Sequence, residues 1–191
     1  IDQQIEYHWL HSGELDAWIE DDIRITEKLK ANIGARHSIF ILNEKIFSLF
    51  QPRVNVLYKF TQKWSVKASA SRMNQFIHLL SNNSLGLPTD LWLPVTKRLP
   101  PQTSMQVSAG VSYDADQSTS FTMEGFYKTL DNLIEYTDGT VFFNAFDNWE
   151  DMVETGTGKS YGVEWLAQKK KGKLTGLISY TLARSTRQFP N

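Results

Sequence analysis

The stretch "LKANIGARHSIFI", residues 29–41, decides how the chain is read. Taking every second residue gives Leu29, Ala31, Ile33, Ala35, His37, Ile39 and Ile41. The residues between them are Lys30, Asn32, Gly34, Arg36, Ser38 and Phe40. One row is almost entirely apolar and the other mostly polar. A period of two is the mark of a β-strand with two chemically different faces. The open question is what covers the apolar row.

Working outward, the same alternation recurs. Ala17, Ile19, Ile23 and Ile25 form an apolar row broken by Asp21, against Trp18, Glu20, Asp22 and Arg24. Further rows are Pro52, Val54, Val56, Tyr58 and Phe60; Trp64, Val66, Ala68 and Ala70; and Met105, Val107, Ala109, Val111 and Tyr113. Phe121, Met123 and Tyr127, then Tyr161, Val163, Trp165 and Ala167, then Leu174, Ile178, Tyr180 and Leu182 continue the series. Phe47 and Leu49 fall on the opposite parity to Val54, which predicts a bulge or bend near Phe50–Pro52. With residues 5–10 and 132–136 added, the chain offers about ten strands.

The connections are unequal. Residues 26–28, 62–63, 114–117 and 170–173 are short and polar, whereas 74–102 and 137–159 are long. Short and long connections alternate, as in up-and-down strands with tight turns at one end and large loops at the other. Most strands run roughly 9–13 residues, the length a tilted strand needs to cross a bilayer, against the usual 5–6 or so. Trp64, Tyr113 and Tyr127 are expected near strand ends, where a water–lipid boundary favours rings with a polar tip. Alternation by itself leaves a soluble β-sandwich open, with the same rings filling its core.

Bulk composition narrows the classes. The chain has 191 residues, enough for one domain. Lys plus Arg total 20 and Asp plus Glu 21, so no strong field is available for nucleic acid. There is no cysteine, which excludes disulfides and thiolate metal sites. "IDQQIEYHWL" lacks the basic start and apolar run of a signal peptide. No stretch reaches the roughly 18 unbroken apolar residues of a membrane helix, a test that a membrane β-barrel also passes.

Several segments carry a family resemblance. "FQPRVNVLYKFTQKWSVKASASRMNQFIHLLS", "LPTDLWLP" followed by "PPQTSMQVSAGVSY", "MEGFYKTLDNLIEY" and "GKSYGVEWLAQKKKGKLTGLISYTLARSTRQF" together resemble, in order, the β-barrel of TonB-dependent outer-membrane receptors of the nutrient-importing kind. The resemblance implies an all-β fold: antiparallel up-and-down strands forming part of a large transmembrane β-barrel, not closed by itself. Residues 1–191 are then a partial barrel segment, without the plug domain, the TonB box or the closing strands of a 22-stranded family barrel. It implies the outer membrane of a Gram-negative bacterium, with the apolar rows facing lipid. The polar residues Glu20, Asp22, Arg24, Arg36, Lys67, Glu124 and Glu164 then face the lumen. Implied partners are membrane lipid, the rest of the receptor, the TonB complex and a surface lipoprotein. Cargo stays open among glycan, peptide, siderophore and vitamin.

Each candidate site also has a plainer role. "GTGKS" at residues 156–160 lacks the first glycine of a phosphate loop, Val153 standing there. His8 and His11 point to opposite faces of a strand, so no metal site is expected. Glu20, Asp21 and Asp22 read as a hydrated wall rather than an acid–base pair. "KKKGK" at residues 169–173 reads as a solvated turn, with contact to anionic head groups as the sharper alternative. Catalytic residues and cofactors are not expected. Asn74, Gln75, Phe76, His78 and Trp92 in one long loop, and Phe143 and Trp149 in the other, combine amides and aromatics. Such a set suits sugars or peptides, against the plainer reading of a loop packed on its own apolar residues. The competing function is a soluble β-sandwich module binding carbohydrate.

Overall fold

The computed structural model describes residues 11–43, 45–80, 91–137 and 149–190. Ten strands are present among them: β1 Ser12–Arg24, β2 Leu29–Leu42, β3 Lys45–Lys59, β4 Trp64–Gln75, β5 Ile77–Leu80, β6 Leu91–Pro94, β7 Gln102–Asp114, β8 Thr119–Tyr136, β9 Val153–Lys169 and β10 Gly176–Gln188. Eight form one antiparallel sheet in the order β1-β2-β3-β4-β7-β8-β9-β10, and β5 and β6 form a separate hairpin. The sheet does not close: β1 and β10 each pair on one side only. The expected strand at residues 5–10 lies outside the described residues.

Four tight turns lie at one end of the sheet, and three share one construction. Ile25, Phe60 and Ala115 donate their N–H to the carbonyls of Leu29, Trp64 and Thr119, each at 3.0 Å. In each turn the next side chain accepts two backbone N–H groups: Thr26 those of Lys28 and Leu29, Thr61 those of Lys63 and Trp64, Asp116 those of Ser118 and Thr119. Short hydroxyl and carboxylate side chains are chosen for this local bonding. The Asp116 carboxyl is held down to about 2 by its bonds to Ser118 and Thr119. The fourth turn bends instead at Gly172, with φ at 115°.

The register carries the sequence alternation across the whole sheet. Pairing of Ile19 with Ala35, Ile33 with Val54, Val56 with Ala68, Ala68 with Ala109, Ala109 with Gly125, Gly125 with Val163 and Val163 with Leu182 puts the apolar rows on one face. That face is bare: Leu15, Ile19, Phe60 and Ile178 are 67%, 74%, 50% and 78% exposed. No second sheet lies on it among the described residues. At its tight-turn end Trp64, Tyr113 and Phe121 stand in one cross-strand row, with ring centroids 4.6 and 6.5 Å apart. Tyr127 does not belong to this row; it lies midway along β8, opposite Tyr161.

Two details differ from expectation. No bulge occurs near Phe50–Pro52, because β2 and β3 pair without a break from Leu42 with Lys45 to Leu29 with Tyr58. The parity change arises because Phe47 and Leu49, on the polar face, pack against a buried cluster of Phe40, Leu42, Phe76 and Val95. Residues 132–136 are not a separate strand either. They continue β8 beyond a bulge at Asn132, whose φ is 58°. The extra residue flips the side-chain parity. Leu133 pairs with Gly156, and Ile134 joins Leu80, Leu93, Leu99 and Val153 in a second buried cluster.

Candidate functional site

The polar face and the hairpin above it form the candidate site. β4 pairs with β3 only from Lys59 to Arg53, while β2 and β3 continue past that level. β8 and β9 also rise past the last residues of β4 and β7, to Tyr136 and Val153. The β5–β6 hairpin fills the resulting notch. Its Phe76 ring stacks on Phe40 with centroids 5.1 Å apart, and its Leu80 and Leu93 meet Ile134 and Val153. Strand alternation leaves Ile77, Leu79 and Trp92 on the other side of the hairpin, with Trp92 63% exposed and opposite Leu79.

The expected ligand-contacting residues therefore separate. Trp92 is presented outward. Phe76 and His78 are buried at 4% and 0% exposure, so as they stand they offer no surface to a ligand. Among the described residues neither ring nitrogen of His78 has a hydrogen-bond partner, and burial pushes its imidazole down to about 4. Gln75 donates from its amide to the carbonyl of Ile77. The buried amide of the Asn74 side chain has no partner among the described residues. Phe143 lies outside the described residues. Trp149 opens a short 3-10 turn, Trp149–Asp151, whose Asp151 pairs with Arg98.

On the sheet, the register places Glu20, Asp22, Arg24, Arg36, Lys67, Glu124 and Glu164 on the polar face together. Arg36 makes a two-point contact with Asp16, Nε to Oδ1 at 3.0 Å and Nη2 to Oδ2 at 2.6 Å. Glu14 stands 3.9 Å away. Asn32 donates to both Glu20 and Asp22, at 2.8 and 2.9 Å. Two ion pairs skip a strand. Glu20 reaches Arg53 across Gly34, and Lys67 reaches Glu124 across Gly110. A Cβ at Gly34 would stand 2.7 Å from Arg53 Nε, and one at Gly110 2.9 Å from the carbonyl of Met123. Glycine on the middle strand is what leaves room for these bridges. Arg24 lies opposite Lys30 and Glu164 opposite Glu124, whose carboxylate is already paired with Lys67.

A hydrogen-bond chain ties this wall to the hairpin base. Asn74 donates its backbone N–H to Gln51 Oε1 at 3.1 Å. Gln51 Nε2 donates to Ser38 Oγ at 2.7 Å, and Ser38 donates to Asp16. Gln51 thus fills the place where β4 departs from β3. No residue-type signal singles out Gln51, Gly34 or Gly110; only strand pairing brings out their parts. The arrangement holds no cluster of metal-ligating side chains among the described residues.

Such a two-faced sheet, with tight turns at one end and a hairpin capping the other, defines a segment of a β-barrel wall. Residues 7–191 match the family model described as TonB dependent receptor-like, beta-barrel. The chain belongs to that family, whose members are transporters rather than enzymes. No curated protein sequence matches it. Among solved structures it is similar to the FrpB iron transporter of Neisseria meningitidis (apoprotein form), at TM-score 0.66 and 16% identity, covering 94% of this chain and 26% of that one. It is similar also to the alcaligin receptor FauA of Bordetella pertussis, at 0.62 and 17%, covering 93% and 31%. A third is the ferric-catecholate import receptor Fiu of E. coli K12, at 0.65 and 14%, covering 95% and 29%. The chain thus spans between a quarter and a third of the length of these structures. Family membership sets aside the soluble sandwich.

Proposed function

We propose that this chain forms part of the barrel wall of a TonB-dependent nutrient importer in the outer membrane of a Gram-negative cell. The observation that carries the reading is the bare apolar face, continuous over eight strands and backed by a wall of bonded polar side chains. In hydrocarbon every backbone group needs an internal partner, and a paired sheet supplies one. The apolar face meets lipid. The polar face lines the lumen, where water and a plug satisfy Glu20, Asp22, Arg24, Arg36, Lys67, Glu124 and Glu164. The long-loop end lies outside the cell, and Trp92 with Ile77 and Leu79 is the surface it offers to cargo or to a surface lipoprotein. Import is powered through the TonB complex. Relatives of the same fold are described as iron and siderophore receptors, which favours an iron chelate among the cargo classes.

The absence of native cysteine makes the test clean. Single cysteines at Ala68, Ala109, Ser69 and Ser108 would carry spin labels in the membrane-reconstituted protein. Labels at Ala68 and Ala109 should collide with oxygen dissolved in the acyl chains and be shielded from a water-soluble nickel chelate. Labels at Ser69 and Ser108 should not show the oxygen signature. If Ala68 and Ala109 are shielded from both reagents, protein covers that face and the reading is wrong.

A further inference from the structure

The polar face changes sign along its strands. On β1 it runs Glu14, Asp16, Trp18, Glu20, Asp22 and then Arg24, with the cation at the turn end. The next three strands repeat that placement. Lys30 on β2 lies opposite Arg24. Lys30 pairs with Leu57, so Lys59 on β3 is its diagonal neighbour. Leu57 also pairs with Lys67, and Lys59 with Ser65, which makes Lys67 on β4 diagonal to Lys59. Four adjacent strands thus each present a cation to the polar face near the turns, with steps of about 7–8 Å or less at Cα.

Like charges side by side on paired strands repel, and only one of these four is relieved by a carboxylate. Lys67 pairs with Glu124. Arg24, Lys30 and Lys59 are exposed and form no ion pair among the described residues. Of the nearby carboxylates, Asp22 accepts from Asn32 at 2.9 Å, and Glu27 lies in the turn between β1 and β2 without an ion pair. Arg24, Lys30 and Lys67 border a recess of about 750 Å³ in the polar face, lined also by Asn55, Ser69 and Ser108. Asp22 and Glu124 reach it too, each bonded as above. Asn55 spends one amide proton on Asn32 at 3.1 Å and has a second to give. An oxyanion seated there meets the two-point fork of a guanidinium and the point charge of ammonium groups. Its own charge cancels the repulsion among them.

We infer that Arg24, Lys30 and Lys59 form a binding site for a multivalent oxyanion, borne by a small solute, at the turn end of the lumen. The inference rests on the proposed orientation, in which the polar face lines the lumen.

The test uses the intact receptor in nanodiscs, with one environment-sensitive fluorophore attached through Ser69→Cys in the recess. Pyrophosphate is the probe, titrated at constant ionic strength. The fluorescence should change saturably, and chloride at the same ionic strength should leave it flat. The triple variant Arg24→Gln, Lys30→Gln, Lys59→Gln should weaken pyrophosphate binding by about tenfold or more, the worth of one or two charge-assisted hydrogen bonds, while keeping the heat-dependent gel shift of a folded barrel. Should that variant lose the shift, the pair Arg24→Gln with Lys30→Gln carries the same expectation. Arg24→Lys with Lys30→Arg, which keeps both charges, should still bind. Lys171→Gln with Lys173→Gln, in the turn between β9 and β10, should leave the titration unchanged. A response that does not saturate, an equal response to chloride, or undiminished binding in the Gln variants overturns the site. So does weakened binding in the Lys171/Lys173 variant. If the spin labels bear out the orientation while pyrophosphate gives no saturable signal, only this inference falls.

Discussion

His78 shows what a single side chain contributes at the rim. It is fully buried with both nitrogens unpartnered among the described residues, so the fold selects its neutral form. Its folded value of about 4 lies below the ordinary 6.5. The stability tied to neutral His78 is therefore complete above pH 6.5 and is lost as pH falls toward 4. His78→Leu removes a desolvated polar group and should stabilise the hairpin by about 1 kcal/mol. Hydrogen exchange at the Val95 amide, which bonds Phe76 across the hairpin base, should be slower in the variant and lose its acid sensitivity. Faster exchange at neutral pH in the variant would show that His78 has a favourable partner.

At the scale of the element, β8 turns on Asn132. A left-handed residue there shifts the parity, turning Leu133 to the polar face and Ile134 to the hairpin. The Asn132 amide also donates to the carbonyl of Pro101 at 2.8 Å, fastening the end of the loop that precedes β7. Asn132→Val places a β-branched residue at positive φ, costing about 1–3 kcal/mol of strain, and deletes that bond. Exchange at the Val95 amide should accelerate while the amides of β7 and β8 near Ala109 and Gly125 keep their protection. Uniform loss across the sheet would mean that the bulge supports the whole wall rather than the rim.

Across the whole molecule, the sequence reveals the wall better than the rim. Period-two alternation in β2, β4, β7 and β9 marks both faces because each residue there meets only its cross-strand neighbours and one solvent. At the rim the hairpin adds two buried clusters drawn from segments distant in sequence. Phe47 and Leu49 look out of phase because a hairpin distant in sequence covers them. Phe76 and His78 look like ligand-contacting residues in composition, yet the hairpin's own alternation buries them and turns Trp92 outward. The glycine-spanned pairs Glu20–Arg53 and Lys67–Glu124 need knowledge of which strands lie side by side, which no single segment holds.

The three side-chain-locked turns reach beyond the finished wall. Thr26, Thr61 and Asp116 each fix a reversal within five residues, and every large-sheet pairing except β4 with β7 joins strands consecutive in sequence. Assembly can then zip hairpin by hairpin from that end, with the slow step being closure of the long loop between β4 and β7. Thr61→Val should slow insertion into bilayers more than it speeds extraction, as followed by the gel shift over time. The end that anchors the girdle is thus also where the alignment of neighbouring strands is first decided.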